Sequence, residues 1–172
     1  QQVSGIQNTI TGFCENGSGE VWIATDGGGA YLYNKTERSF ARYSRNSGLS
    51  SDNLRAVTVV SDSVIFGTTA SGLSLYSSAS DRHFRLDRYN GLTNNAVTSF
   101  ATARDRIFVG TYQGVSVLNT EKRDIGAAHF GRELRGEPVI SMALDGRYLW
   151  VGGMGTLARC DIQTDSVIGW NR

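Results

Sequence analysis

One stretch decides the fold: Val21-Trp22-Ile23-Ala24-Thr25-Asp26-Gly27-Gly28-Gly29-Ala30-Tyr31-Leu32-Tyr33. Short runs of β-branched and aromatic residues flank three glycines, a pattern that predicts two antiparallel strands joined by a tight turn. The pattern recurs three times downstream, each time with a glycine at the position of Ala24. These positions are 24, 67, 110 and 152, at intervals of 43, 43 and 42 residues. The chain therefore carries four copies of one strand pair.

A second element repeats at the same interval. Gly48-Leu49-Ser50-Ser51-Asp52-Asn53-Leu54 corresponds to Gly91-Leu92-Thr93-Asn94-Asn95-Ala96-Val97, and the two begin 43 residues apart. A repeat in the low forties that holds four short strands is typical of a propeller blade. We therefore predict an all-β fold, a β-propeller with four blades of four antiparallel strands. The predicted blades are 5–47, 48–90, 91–135 and 136–172 of a single domain, 1–172.

The strands follow from alternating patterns bounded by turn residues. The predicted strands are 9–15, 21–25, 30–33 and 39–43 in the first unit; 54–60, 63–67, 73–76 and 83–87 in the second; 97–103, 106–110, 115–118 and 127–130 in the third; and 139–144, 148–152, 157–161 and 166–170 in the fourth. The small residue at the end of each second strand lets neighbouring blades approach closely. An aromatic residue beside it fills the space between blades. The four aromatic residues are Trp22, Phe66, Phe108 and Trp150.

The composition excludes several classes of protein. The net charge of +1 gives no electrostatic basis for binding nucleic acid or an anionic membrane. No apolar run approaches the roughly 20 residues of a membrane span, and the polar start at Gln1 does not resemble a signal peptide. Such a start is expected of a mature N-terminus or of a boundary within a longer chain. Cys14 and Cys160 lie in different repeats, and we expect two buried free thiols.

The sequence offers little for catalysis or metal binding. His83 and His129 fall in predicted outer strands of different blades, where surface histidines are expected, and no metal site is predicted. The carboxylates lie in separate turns, and there is no nucleophile motif of the G-x-S-x-G type. The glycines 27–29 precede no helix, so they indicate a hairpin turn rather than a phosphate cradle. We predict no catalytic residue and no cofactor.

The candidate ligand site comes from topology. The links between blades and the turns between the second and third strands share one rim of a propeller, where ligands typically lie. The predicted ligand-binding residues on this rim are Asp26, Asn53, Thr69, Asn95, Tyr112, Gln113 and Met154. Asp52 and Asn94 lie beside them in the links. An amide-rich ring with one aromatic residue suits a small neutral polar ligand such as a glycan. The alternative is that Asn and Asp only cap their own turns, which would not explain Tyr112.

The repeat resembles a known family. Glu15-Asn16-Gly17-Ser18-Gly19-Glu20-Val21-Trp22-Ile23-Ala24-Thr25-Asp26-Gly27-Gly28-Gly29 is similar to the two-component-regulator propeller repeat, E-D-x-x-G-x-[LIV]-W-[IV]-G-T-x-x-G-[IVL]. The two G-L links resemble the inter-blade segment of that family. Asn16 and Ala24 depart from the pattern, and the second and third units lack its first turn. No ligand is therefore carried over. The resemblance implies a periplasmic or extracellular sensor region of a bacterial histidine kinase or diguanylate cyclase, followed by a signalling domain.

Four blades are compatible with three ways of completing a propeller. They close alone, belong to a longer array, or pair in a dimer through the end blades, since an open array would expose apolar faces. Three functions remain in competition. The first is a ligand-sensing propeller, the second is a scaffold that binds another protein, and the third is a lyase or hydrolase on a propeller frame.

Overall fold

The computed structural model of the protein describes residues 9–104, 106–120, 122, 124–130, 133–134 and 136–171. Within them the chain is all-β and forms four four-stranded antiparallel sheets, each with its strands in chain order. This confirms the prediction of four propeller blades. The chain divides into two compact units, residues 1–85 and 86–172, which are described separately below. The single-domain arrangement and the blade boundaries stay predictions.

The first unit contains two sheets. Its strands are β1 Thr9–Glu15, β2 Val21–Asp26, β3 Ala30–Asn34 and β4 Ser39–Tyr43, then β5 Leu54–Val60, β6 Ser63–Thr68, β7 Leu73–Ser77 and β8 Arg82–Leu86. The turn between β2 and β3 is the predicted glycine hairpin turn. Gly27 and Gly29 have φ angles of 88° and 78°, in the left-handed region that favours glycine. A Cβ atom on Gly29 would also lie only 2.2 Å from the carbonyl oxygen of Tyr43. Glycine is therefore required at position 29 for both reasons.

The second unit repeats the arrangement. Its strands are β9 Val97–Thr102, β10 Arg106–Thr111, β11 Gly114–Asn119 and β12 Asp124–Ala127, then β13 Val139–Asp145, β14 Tyr148–Gly153, β15 Leu157–Asp161 and β16 Ser166–Asn171. The prediction of a strand at 127–130 is wrong, since β12 lies three residues earlier. Ala128 and Phe130 suggested a strand, but both are buried side chains that follow it. Ala128 still donates its N–H to the Val115 carbonyl at 3.0 Å, as the chain leaves the sheet.

An aromatic cluster forms the core of the first unit. Trp22 in β2 is 2% exposed, and its ring packs edge-on against Phe66 in β6, with the ring centroids 5.6 Å apart. Each side chain belongs to a different sheet, so the pair holds the two sheets together. Complete burial of such a side chain contributes about 1.5–3 kcal/mol. The predicted structural role of Trp22 and Phe66 agrees with this packing.

The second unit has its own core, which does not include Trp150. Phe108 in β10 is buried with Leu149 and Val151 of β14. Trp150 lies between these two residues, and successive side chains of a strand point to opposite faces. Trp150 is accordingly half-buried, with the guanidinium carbon of Arg159 5.7 Å from its ring centroid. It therefore lies outside the core of this unit, on the other face of its sheet, and its expected place between blades stays a prediction.

Gly110 shows why the second strand ends in a small residue. A Cβ atom there would lie 2.6 Å from Ser99 Oγ and 2.8 Å from Val139 Cγ1. Val139 belongs to β13 of the next sheet and is 2% exposed. The two sheets of this unit therefore meet so closely at Gly110 that a methyl group does not fit.

The two cysteines differ in environment. Both are free thiols. Cys160 in β15 is fully buried, and burial, more than the nearby carboxylates of Glu133 and Asp165, raises its pKa to about 12. Cys14 in β1 is half-buried. The expectation of two buried thiols is thus correct for Cys160 and wrong for Cys14.

Candidate functional site

The first unit brings three predicted rim residues together. Asp26, at the end of β2, forms an antiparallel β-bridge with Asn53 in the link that leads to β5. Thr69, which follows β6, donates its backbone N–H to the Asn53 carbonyl at 3.2 Å. The link between the sheets and the turns after the second strands therefore share one end of this unit, as the topology predicted.

Several hydrogen bonds hold the link in place. It contains a short 3-10 helix, Arg45–Ser47, which ends at Gly48 with a φ of 103°. Asp52 Oδ1 accepts the backbone N–H of Arg45 at 2.8 Å. The Asp52 carbonyl accepts the N–H groups of Gly27 and Gly29 at 3.0 and 2.9 Å. Asp52 thus serves the turn geometry, which is the alternative interpretation of these residues.

The second unit repeats this link 43 residues later. Its 3-10 helix is Arg88–Asn90, and Asn95 Oδ1 accepts the N–H of Arg88 at 2.9 Å. Asn94 Oδ1 accepts the N–H of Ala96 at 2.8 Å. Tyr112 donates its own N–H to the Ala96 carbonyl at 3.2 Å, so the Tyr112 turn lies against the link. Asn94 and Asn95 both support the turn through their oxygens.

Other predicted rim residues keep their side chains available. Among the described residues, the side chains of Asn53, Thr69 and Gln113 make no hydrogen bond. Tyr112 is 41% exposed and Met154, after β14, is 75% exposed. The rim therefore consists of a scaffold of capping Asp and Asn residues and a separate set of residues that face solvent.

One aromatic residue on the rim was missed by the sequence analysis. Tyr89 is 98% exposed in the second link, where the first link has Asn46. Tyr89, Arg88 and Asn95 line an open depression of about 470 Å³. The sequence did indicate this residue, because the backbone geometry of a turn does not require a tyrosine side chain. The two G-L links do not contain this position, because the second of them begins at Gly91, two residues after Tyr89.

A second depression lies nearby in the same unit. It measures about 450 Å³, and Thr93, Gln113 and Ala127 contribute to its wall. Thr93 Oγ1 lies 2.9 Å from Thr111 Oγ1 and 2.9 Å from Ser116 Oγ, so a hydroxyl network supports this part of the link. Gln113 is an exposed polar residue of this depression, and its amide offers both a donor and an acceptor.

The first unit holds a further cavity at the opposite end of its strands. It measures about 220 Å³ and lies between the two sheets. Aromatic side chains from β2, β4 and β7 and polar residues from the turns after β1 and β5 line it. The principal residues are Trp22, Tyr43, Tyr76, Asn16, Glu20 and Asp62. The family pattern in the turn after β1 gives no sign of this cavity, which exists only because two blades stand side by side.

Tyr76 is the most perturbed group of this cavity. Burial, together with Tyr43 and Asp81, raises its pKa to about 12. Its hydroxyl donates a hydrogen bond to Asp81 Oδ1 at 3.2 Å. Tyr76 therefore stays protonated at physiological pH and acts as a hydrogen-bond donor.

His83 corrects a further prediction. It lies in β8, but its ring stacks on Tyr76 with the centroids 4.8 Å apart. Its Nδ1 atom is buried and has no hydrogen-bond partner among the described residues. Burial lowers its pKa, against the opposing effect of Asp81. His83 is thus a half-buried packing residue, whereas His129 is exposed and lies after β12 rather than in a strand.

The described part of the chain contains neither a metal-ligand cluster nor a membrane-spanning helix. No group of three or more His, Cys, Asp and Glu residues there is arranged to hold a metal ion. In the same residues, no helix has the length and apolar character needed to cross a membrane.

The fold resembles solved structures of bacterial extracellular domains. One is the extracellular domain of the proposed hybrid two component system BT3049 from B. thetaiotaomicron, with a TM-score of 0.75 and 19% identity over 93% of this chain. Another is the extracellular domain of the proposed one component system BT4673 from the same organism, with a TM-score of 0.76 and 20% identity over 92% of this chain. These identities indicate similarity of fold alone. The chain spans 24% of the length of each of those two extracellular-domain chains.

A designed protein provides a comparison of similar length. The computationally designed Ika4 protein matches with a TM-score of 0.73 and 16% identity, over 92% of this chain and 94% of Ika4. A similar fold thus occurs both as a part of longer extracellular domains and as nearly the whole of a short chain. No protein-family model matches this sequence, and no curated protein matches it either.

Proposed function

We propose that this chain is a non-catalytic, ligand-sensing propeller from the extracytoplasmic sensor region of a bacterial signal-transduction protein. The observation that carries the proposal is its likeness, over more than nine-tenths of its length, to extracellular domains of one- and two-component systems. The resemblance of its repeat to the two-component-regulator propeller family supports the same conclusion. A signalling domain downstream in the full-length protein would receive the signal.

The rim is the proposed ligand site. Binding residues concentrate on links and turns that a strand scaffold positions. In the first unit the amide of Asn53 faces solvent, and in the second unit the amide of Gln113 and the ring of Tyr112 do so. Amides both donate and accept hydrogen bonds, as sugar hydroxyls do, and an aromatic ring covers the apolar face of a sugar. The proposed ligand is therefore a neutral polar molecule such as a glycan.

A matched set of variants tests the rim. Gln113→Ala, Tyr112→Ala and Asn53→Ala each remove one available side chain, and we expect each to weaken glycan binding about 2- to 10-fold. Gln163→Ala is the control, because Gln163 is equally exposed but lies in the turn after β15, away from the predicted rim. Neutral glycan arrays followed by titration calorimetry provide the measurement. Binding that survives all three rim changes would remove the rim assignment.

A second candidate function is a protein-interaction scaffold. Two sheets expose apolar side chains: Phe13 in β1 is 76% exposed, and Ile140 in β13 and Leu157 in β15 are 47% and 48% exposed. Where such residues join into a contiguous apolar patch, they mark a surface that another protein covers. Light scattering across a range of concentrations tests this. A concentration-dependent dimer that Phe13→Asp abolishes would favour association through this sheet, and a monomer at all concentrations would argue against it.

A further inference from the structure

In both units, the earlier sheet turns one face toward the later sheet. Trp22 of the first sheet packs against Phe66 of the second, and Phe108 of the third sheet is buried with Val151 of the fourth. Trp22 and Phe108 lie two residues before the repeat positions 24 and 110, and Trp150 lies two residues before the repeat position 152. Trp150 therefore marks the face on which a following sheet would pack. Among the described residues of the second unit, no sheet follows the fourth.

This face of the fourth sheet carries a charge that the other sheets lack. Arg159 is paired with Trp150 in the register of β14 and β15, and paired residues of antiparallel strands point to the same side of a sheet. The residues at the equivalent position of the other three sheets are all apolar: Leu32, Leu75 and Val117. The fourth sheet thus has a guanidinium group where the others have an aliphatic side chain.

Two aromatic rings hold the Arg159 side chain in place. Its guanidinium carbon lies 5.0 Å from the ring centroid of Tyr148 and 5.7 Å from that of Trp150. Its Nε atom is buried and has no hydrogen-bond partner among the described residues, and none of their carboxylates forms an ion pair with it. A guanidinium group stacked on rings directs its N–H groups along its edge, where a carboxylate accepts two of them. The face is therefore suited to a partner that supplies a carboxylate.

The first sheet carries a carboxylate where the others have an uncharged side chain. Glu15 in β1 is paired with Val21. Its equivalents in the other three sheets are Val59, Thr102 and Leu144. Glu15 Oε1 accepts a hydrogen bond from Lys35 at 2.7 Å, but this pair is exposed and contributes little to stability. Phe13, two residues earlier on the same face of β1, is 76% exposed.

The Arg159 position and the Glu15 position come together where two sheets stack. In each unit, the earlier sheet provides a residue at the Arg159 position and the later sheet provides one at the Glu15 position. Both residues pack against the same core cluster, namely Leu32 with Val59 in the first unit and Val117 with Leu144 in the second. A fourth sheet stacked on a first sheet in the same way brings Arg159 beside Glu15, and their charges are opposite.

We infer that two copies of this chain bind head to tail, with the fourth sheet of each copy stacked on the first sheet of the other. Arg159 of one copy pairs with Glu15 of the other at both junctions, and Trp150 and Phe13 add apolar area beside the pair. Two such junctions form a closed assembly of two copies with eight sheets, within the range of about four to eight blades that propellers have. This inference rests on the second candidate function and names its partner, and it does not depend on a ligand at the rim.

Sedimentation velocity of the 172-residue chain across a range of concentrations measures the association. We expect a reversible equilibrium between monomer and dimer. Arg159→Glu and Glu15→Arg each place like charges at both junctions, so each should raise the dissociation constant of the dimer at least about tenfold. Glu37→Arg is the control, because it makes the same change of charge at an exposed carboxylate in the turn after β3, away from the sheet face. Thermal unfolding of each variant verifies that it is folded.

A mixture of the two variants provides the sharpest test. In a mixed dimer, the new glutamate of one chain faces the new arginine of the other at one junction, while the native Arg159 and Glu15 meet at the second. Opposite charges are thus restored at both junctions, although each variant alone has like charges at both. We expect the mixture to associate about as tightly as the parent protein, which closure of a chain on itself would not produce.

Three results would overturn the inference. They are a parent protein that stays monomeric at all concentrations, a dimer of unchanged affinity in folded Arg159→Glu, and a mixture of the two variants that stays monomeric. A dimer that Phe13→Asp abolishes and Arg159→Glu leaves intact would refute head-to-tail pairing but retain the second candidate function. Glycan binding is measured separately with Gln113→Ala, so failure of the rim proposal and failure of this inference are distinguishable.

Discussion

Gly110→Ala should destabilise the second unit, because a methyl group at this position has no room. The new Cβ would lie 2.6 Å from Ser99 Oγ, 2.8 Å from Val139 Cγ1 and 3.1 Å from Thr98 Oγ1. The two hydroxyls sit on β9 and can rotate, but Val139 is buried in the neighbouring sheet and cannot move away. Overpacking of this kind costs about 1–3 kcal/mol, and the reduced entropy of the unfolded chain offsets about 0.4–1 kcal/mol.

The expected net loss is thus about 1–2 kcal/mol in the free energy of unfolding, or a Tm lower by about 2–8 °C. Urea denaturation followed by circular dichroism measures it. Gly126→Ala is the matched control, since Gly126 lies in β12 of the same sheet and a Cβ there meets nothing within 4 Å. A Gly110→Ala protein as stable as the Gly126→Ala protein would refute the close approach of the two sheets at Gly110.

Three further predictions concern the interior. Phe66→Ala should lower the free energy of unfolding by about 3–5 kcal/mol, because the Phe66 side chain is fully buried. Phe13→Ala should change it by about 0.5 kcal/mol or less, because Phe13 is 76% exposed; urea titrations measure both. A disulfide reagent should modify Cys14 quickly in the native protein but Cys160 only on unfolding, because burial raises the pKa of Cys160 to about 12. Rapid modification of both thiols in the native protein would contradict this. Burial lowers the pKa of His83, so the unfolded chain binds more protons, and stability should fall as the pH drops through 6.5. His83→Phe should lose this part of the pH dependence, so its urea midpoint should fall less between pH 7.5 and 5.5 than that of the parent protein; an equal fall in the two proteins would contradict this.

The periodic features of the fold were predictable from the sequence. β1, β4, β5 and β15 have the predicted bounds, since alternation within each strand and turn residues at both ends determine them locally. β12 was misplaced because Ala128 and Phe130 are apolar for a different reason, namely their burial outside the strand. Sequence periodicity does not distinguish an apolar residue in a strand from one in the segment that follows.

The candidate sites were only partly predictable. The rim could be anticipated because topology alone places Asn53 and Thr69 at one end of the first unit. The sequence could not show which rim amides are hydrogen-bonded to the backbone. Asn95, for example, accepts a hydrogen bond from the backbone N–H of Arg88, seven residues earlier in the link. The cavity at Glu20 depends on rings from three strands that are distant in sequence, and Trp150 occupies a face that only the register reveals. These features arise from the packing of one blade on another.

The central claim is that this propeller binds a ligand without transforming it. The most direct test is titration calorimetry with a neutral glycan that a glycan array identifies. The ligand is then recovered from the calorimeter cell and analysed by chromatography and mass spectrometry. We predict saturable binding that Gln113→Ala weakens and Gln163→Ala does not, with the glycan recovered intact. A glycan that returns cleaved or eliminated, or binding that is equal in the two variants, would contradict the account.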